Sequence, residues 1–277
     1  MRLVTYDVGA GPRAGALDGD VVRDVWGIDA PVPPGERCVS SLVRGGLLGQ
    51  IAPTGPELAL ADVALLPPIR NPGKIVCIGL NYRSHAEEAG LEPPETPTFF
   101  AKFTNALAAP GAEVRLPAYS QKVDFEAEVA FVVGARCKDV PEEEALARVA
   151  GYMLFNDLSA RDYQFKTNQW MPGKVFDGSA PCGPALVTPD EAGDPIEMAL
   201  TLNGEQMQSA ATDDLIHSVP ALLSYLSTLM TLEPGDVVAT GTPSGVGGAR
   251  TPSVWLKPGD ELVVSSPTLG ELRTVLA

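Results

Sequence analysis

The run Asp124-Phe125-Glu126-Ala127-Glu128-Val129-Ala130-Phe131-Val132-Val133 sets an alternating acidic pattern ahead of an apolar stretch. On a strand, successive side chains face opposite ways. Asp124, Glu126 and Glu128 would then share one face, roughly 7 Å apart from one to the next. Like charges this close repel unless a cation or basic side chains sit among them. One reading is a half-exposed edge strand with a solvated acidic face. The other is a metal site, favoured because Val129–Val133 continues apolar and would carry the carboxylates toward a core. A third ligand is then needed. Asp157 is the candidate, since it stands where the apolar run Tyr152-Met153-Leu154-Phe155 stops at Asn156. Two or three carboxylates with waters make a hard oxygen site, suited to Mg²⁺ or Mn²⁺ rather than zinc.

A second constellation is His85 with Glu88. Ser84 is expected to cap a short helix over residues 85–89, which places His85 and Glu88 at i and i+3 on one face. A carboxylate beside an imidazole fixes its tautomer and raises its basicity, as a general base requires. The plainer reading of the pair is a surface contact. Gly79 and Gly90 bracket the segment and would serve as hinges of a lid over residues 81–90. Lys174 lies in a segment dense with Trp170, Met171 and Pro172; it is either a solvated lysine or a cation facing a substrate carbonyl or carboxylate. Arg161 suits a bidentate carboxylate, or it pairs Asp157 or Asp162 structurally. The loop 240–248 is Gly-rich and offers N–H donors, but it lacks the lysine of a P-loop. His217 matches no motif and is expected to be structural.

These residues need a scaffold of short strands. Strands are expected over 3–6, 21–25, 74–78, 97–103, 123–133, 152–157, 196–202, 205–209, 237–240 and 262–265. Asp18-Gly19 and Asn203-Gly204 are read as hairpin turns. Short helices are expected over 40–48, 141–149 and 219–229, and a loop at Pro31-Val32-Pro33-Pro34-Gly35. The order is no regular βαβ alternation, so an antiparallel or mixed, β-rich α+β fold is favoured over a doubly wound sheet. The chain divides into a small unit, 1–68, without chemical motifs, and a larger unit, 69–277.

Composition narrows the function. A net charge of −15 over 277 residues argues against nucleic acid and against an anionic membrane. With two histidines, a three-histidine metal site is excluded. The four cysteines are far apart, so a local zinc knuckle is excluded too, and a reducing, cytoplasmic setting is expected. The opening residues lack a signal-peptide apolar stretch, and no run is long enough to span a bilayer.

With these residues in view, residues 70–277 resemble the fumarylacetoacetate hydrolase family. The resemblance rests on ordered blocks. They are Gly79-Leu80-Asn81-Tyr82-Arg83-Ser84-His85-Ala86-Glu87-Glu88, Asp124-Phe125-Glu126-Ala127-Glu128 and Asn156-Asp157-Leu158-Ser159-Ala160-Arg161-Asp162. Next come Lys174-Val175-Phe176-Asp177 with Gly183-Pro184, and Thr240-Gly241-Thr242-Pro243-Ser244-Gly245-Val246-Gly247. One small departure is Phe125, where tyrosine is usual. Residues 1–68 look like the small N-terminal α/β domain of longer bacterial members. The resemblance implies a mixed-sheet β-roll core, a homodimer and Mg²⁺, with Mn²⁺ or Ca²⁺ as substitutes. It implies Glu126, Glu128 and Asp157 as metal ligands, and His85 and Glu88 as the acid/base pair. It places Lys174, Arg161, Gln164 and Thr242 around a small-molecule 2-oxo acid. The expected reaction is C–C hydrolysis of an acylpyruvate-like compound. The alternative is isomerisation or decarboxylation of a 2-oxo or hydroxymuconate-type acid in aromatic-acid catabolism. A reading of another class is a non-catalytic, carboxylate-rich metal-binding protein.

Overall fold

A computed structural model describes residues 1–25 and 36–277; the loop expected at 31–35 lies outside them. The chain forms mixed sheets with few helices, as the β-rich α+β reading expects. Among the described residues the main sheet has twelve strands. At its centre Ala127–Val133 lies between Val149–Asn156 and Val237–Ala239, antiparallel to both. Ile75–Gly79 follows parallel to Val237–Ala239, and Thr98–Lys102 closes that side antiparallel to Ile75–Gly79. On the other side Ala180–Val187 pairs with Val149–Asn156 and with the first strand, Arg2–Asp7. A separate sheet includes the hairpin Glu197–Leu202 and Glu205–Ala211, turned at Asn203-Gly204, and continues through Glu261–Ser266 and Gly270–Leu276.

The central strand is buried on both faces, which is why its sequence is apolar without alternation. Val129, Phe131 and Val133 enter one core with Tyr152 and Leu154; Ala130 and Val132 enter the other with Met153 and Phe155. All four cysteines are free and buried.

Several expectations shift. The strand expected over 123–133 is broken: Val123–Asp124 pairs with Ser159–Ala160, while Ala127–Val133 belongs to the main sheet. The break separates Asp124 from the other two carboxylates. A strand at Arg13–Asp18, unread in the sequence because Gly15 and two alanines dilute its pattern, supplies the first arm of the Asp18-Gly19 hairpin with Val21–Asp24. The early helix is Val39–Arg44 followed by a single tight turn at Leu48–Gln50, because Gly45-Gly46 ends it. Helix Val219–Leu229 starts where expected, with Ser218 accepting the Ala221 N–H.

Candidate active site

The break at Phe125-Glu126 builds the site. Glu126 N–H donates to Asn156 Oδ1 at 3.1 Å, and Asp157 N–H donates to Glu126 O at 2.9 Å. The two strand ends are thus tied, and Glu126, Glu128 and Asp157 converge with their ligand oxygens within 4.8 Å of one another. All three are buried.

Basic side chains answer most of this charge. Lys174 Nζ, itself buried, lies 2.7 Å from Glu126 Oε2 and 2.8 Å from Asp157 Oδ2. Arg161 Nη1 lies 2.6 Å from Glu126 Oε1, and its Nε 2.8 Å from Asp124 Oδ2. Lys102 Nζ, wholly buried, pairs with Asp157 Oδ1 at 2.7 Å. Burial alone would raise the Glu126 carboxyl, but Lys174 and Arg161 outweigh it and hold it down to about 2. Glu128 differs. Its only hydrogen-bond donor among the described residues is Gly241 N–H, at 2.9 Å, and it has no ion-pair partner there. Burial, then Asp157 and Glu126, push its carboxyl well above the usual range. A buried, all-oxygen trio whose third carboxylate lacks a cation fits a hard divalent ion. Glu126, Glu128 and Asp157 would hold it.

Asp124 lies outside this trio, contrary to the shared face expected of it. It accepts Gly247 N–H at 2.7 Å and Gly248 N–H at 2.9 Å as well as Arg161 Nε. It therefore fixes Arg161 and the Gly-rich loop. Of the two structural partners expected for Arg161, Asp157 and Asp162, neither is used; its partners are Asp124 and Glu126, with Nη1 also donating to Gln164 Oε1 at 2.9 Å. Its Nη2 is buried and has no hydrogen-bond partner among the described residues.

A cleft of about 700 Å³ opens over these groups. His85, Glu126, Arg161, Gln164, Lys174 and Thr242 all line it. His85 Nδ1 is 3.1 Å from Glu88 Oε2, and Glu88 Oε1 accepts Gly245 N–H at 2.8 Å. The helix carrying them, Arg83–Ala89, starts two residues earlier than expected and is not capped by Ser84. Ser84 lies in its first turn, and its N–H and hydroxyl both serve Asp214 Oδ2. The lid expectation meets a segment bonded along its length. Tyr82 is fully buried, Arg83 donates to Leu215 O, and Asn81 Nδ2 donates to Thr240 O and His217 O. Gly79 is no free hinge: a Cβ there would sit 2.1 Å from the Trp170 ring. Gly90 ends the helix in the left-handed conformation. His217 is structural, its Nε2 2.9 Å from Pro94 O.

Two supporting residues escaped the sequence reading. Lys102 also donates to Ser179 O at 3.0 Å, to Ser179 Oγ at 2.9 Å and to Lys174 O. Its signal was present: it shares a strand face with buried Phe100, so it had to point inward. Gln208 is buried, accepts Ala127 N–H through Oε1 at 2.9 Å and donates to Thr242 Oγ1 at 2.9 Å. No local pattern marks it, because its hairpin is distant in sequence from both partners.

The fold and the convergent buried polar groups define an enzyme of the mixed-sheet, carboxylate-cluster type. The chain belongs to the fumarylacetoacetate hydrolase family: the Fumarylacetoacetate (FAA) hydrolase C-terminal family matches residues 74–277, and an Rv2993c-like N-terminal family matches residues 1–68. It is 43% identical over 285 residues to the mitochondrial oxaloacetate tautomerase of Xenopus laevis, covering 98% of this chain and 89% of that protein. Among solved structures it is similar to 5-carboxymethyl-2-hydroxymuconate delta-isomerase from Mycobacterium smegmatis (33% identity, TM-score 0.82). It is also similar to fumarylacetoacetate hydrolase from psychrophilic Exiguobacterium antarcticum (31% identity, TM-score 0.88). Each structural likeness covers 100% of this chain and 99% of the other. Among the described residues no helix is long and apolar enough to cross a membrane.

Proposed function

We propose that the enzyme interconverts the enol and keto forms of a 2-oxo acid, with Mg²⁺ held by Glu126, Glu128 and Asp157. The observation that carries this reading is that His85, paired with Glu88, lines the same cleft as Glu126, whose carboxylate converges with those of Glu128 and Asp157. The bound ion would supply positive charge to the oxygens of the enolate. The remaining work falls to the chain's own side chains. Arg161 Nη2, buried without a partner among the described residues, is a donor held ready for the substrate carboxylate. Lys174 adds a second fixed positive charge beside the keto oxygen. Glu88 accepts from His85 Nδ1–H, which leaves Nε2 to carry the moving proton. In the direction of ketonisation the enol hydroxyl gives its proton to water, and His85, as the imidazolium beside Glu88, delivers its Nε2 proton to the adjacent carbon. Neutral His85 then takes up the proton that water received, so one proton moves from oxygen to carbon and atoms and charge balance without a co-reactant. The likeness to an oxaloacetate tautomerase and to a muconate-type isomerase supports this chemistry.

C–C hydrolysis of an acylpyruvate-like acid, the first expectation from the sequence, is the second reading. It is supported by the likeness to a fumarylacetoacetate hydrolase and by a cleft volume of about 700 Å³, ample for an acyl group. There His85 would activate water instead of protonating carbon. A homodimer in a reducing, cytoplasmic setting completes the proposal; the free, buried cysteines agree with the reducing setting. Proton NMR of oxaloacetate and an acylpyruvate in D₂O separates the two reactions. The first reading expects enzyme-dependent exchange at the carbon next to the ketone. Release of a free acid without faster exchange would displace it in favour of hydrolysis.

A further inference from the structure

We infer that the outer half of the cleft holds an uncharged apolar tail, aryl or medium-chain alkyl, carried by the 2-oxo acid. This rests on the enol–keto reading above, because the tail is placed relative to the head group that the carboxylate floor would bind.

The cleft divides by chemistry. Glu126, Lys174 and Arg161, buried or partly buried, make a charged floor, whereas the more open wall carries Leu91, Phe165, Trp170 and Trp255 beside the opposite charges of Lys122 and Asp162. Two of these four, Leu91 and Phe165, are largely left open by the chain itself. Phe165 is 70% exposed and Leu91 55% exposed, yet both line the cleft. Trp170 and Trp255 are half-buried. Large apolar side chains left open at the mouth of a polar-floored cleft mark a surface for an apolar ligand group. The wall is also fixed in shape. Trp170 lies over Gly79, where any side chain would collide with it, and meets Phe100 edge-on, with ring centroids 5.9 Å apart at 76°.

A second carboxylate on the substrate finds little to bind there. Lys122 and Asp162 both line this part of the cleft, so their charges oppose each other. Asp162 is held as an acceptor by Ser120 Oγ at 2.6 Å and Gln121 N–H at 3.2 Å. Lys122 is exposed, with Nζ 6.0 Å from the centroid of the Trp255 ring. A cleft of about 700 Å³ also exceeds what a four-carbon oxo diacid would fill.

Two inert probes share a 2-oxo-acid-like head and differ only in the tail: N-phenyloxamate and N-oxalylglycine. Each is titrated calorimetrically into the Mg²⁺-loaded full-length enzyme, with oxalate as the tail-free control. At about fourfold per buried methylene-sized group, N-phenyloxamate should bind at least tenfold more tightly than N-oxalylglycine. Phe165→Ala, at an exposed position, should cut that ratio at least threefold, and Lys122→Met, which removes a cation from the same wall, should not lower it. Equal or tighter binding of N-oxalylglycine, weakened by Lys122→Met, would overturn the inference in favour of a dicarboxylate substrate. A ratio untouched by Phe165→Ala, together with a changed sedimentation coefficient, would overturn it in favour of a contact between copies of the chain. If oxalate binds only with Mg²⁺ and the tail adds nothing, the inference fails while the 2-oxo acid reading stands. If oxalate does not bind, both fail.

Discussion

Glu128→Gln is expected to make the metal-free protein more stable while abolishing its response to Mg²⁺. Glu128 is buried within 4.8 Å of the Glu126 and Asp157 oxygens, and its described partner is one backbone N–H. At an effective dielectric near 20, each carboxylate pair at that distance repels by about 3.5 kcal/mol. Lys174 and Lys102 offset part of this, and protonation of Glu128 relieves more. A net relief of about 2 kcal/mol is left for the variant. Glutamine keeps an oxygen for Gly241 N–H and gains a donor toward the neighbouring carboxylates. The pH dependence has a definite sign. A carboxyl raised in the folded chain costs nothing below its ordinary range, near 4.5, and destabilises progressively as pH rises through its folded value. Glu126 acts oppositely, but its contribution is lost only as pH falls from that range toward about 2. Between pH 5 and pH 8, therefore, Glu128 sets the slope within the trio. Thermal unfolding in EDTA at pH 8 should show the variant about 4–8 °C above the wild type, with the gap closing toward pH 5. Saturating Mg²⁺ should raise the wild-type midpoint and leave the variant unmoved. A variant less stable than wild type at pH 8 in EDTA, or one still stabilised by Mg²⁺, would refute the reasoning.

Three further substitutions probe the parts around the trio. His85→Gln should slow enol–keto conversion by about 10²–10⁴-fold while calorimetry shows Mg²⁺ affinity within a few-fold of wild type. Lys102→Met removes one of the two lysine partners of buried Asp157, leaving Lys174, and should cost about 1–3 kcal/mol in urea unfolding; an unchanged midpoint would mean that Lys174 alone suffices to hold Asp157. Asp124→Asn frees Arg161 Nε and weakens two backbone bonds of the Gly-rich loop, so KM for a 2-oxo acid should rise about tenfold or more, with a smaller fall in kcat.

Much of this arrangement was legible in the sequence because it is local. Glu126, Glu128 and Asp157 announce themselves by an acidic alternation and by an apolar run that stops at a polar pair. His85 and Glu88 share a helix face through their spacing alone. What the sequence concealed depends on chain crossings. The break after Asp124 arises because Val123–Asp124 pairs with Ser159–Ala160 while Ala127 onward joins another sheet, and no residue in that run forbids a continuous strand. Lys102 reaches Asp157 from an edge strand separated from Ala127–Val133 by two others, a distance that periodicity cannot bridge. Gly79 reads as a hinge until Trp170 is seen lying over it.

The central claim is that the buried trio presents a metal-bound 2-oxo acid to His85. Its most direct test follows the ultraviolet absorbance of enol-phenylpyruvate, a 2-oxo acid with an uncharged tail, with metal-depleted enzyme, before and after addition of Mg²⁺, for the wild type and for Asp157→Asn. Loss of the enol should be no faster than in buffer without Mg²⁺, should accelerate at least a hundredfold on its addition, and should stay at the buffer rate in the variant at every Mg²⁺ concentration tried. Full conversion by the EDTA-treated wild type, or by Asp157→Asn, would contradict the account.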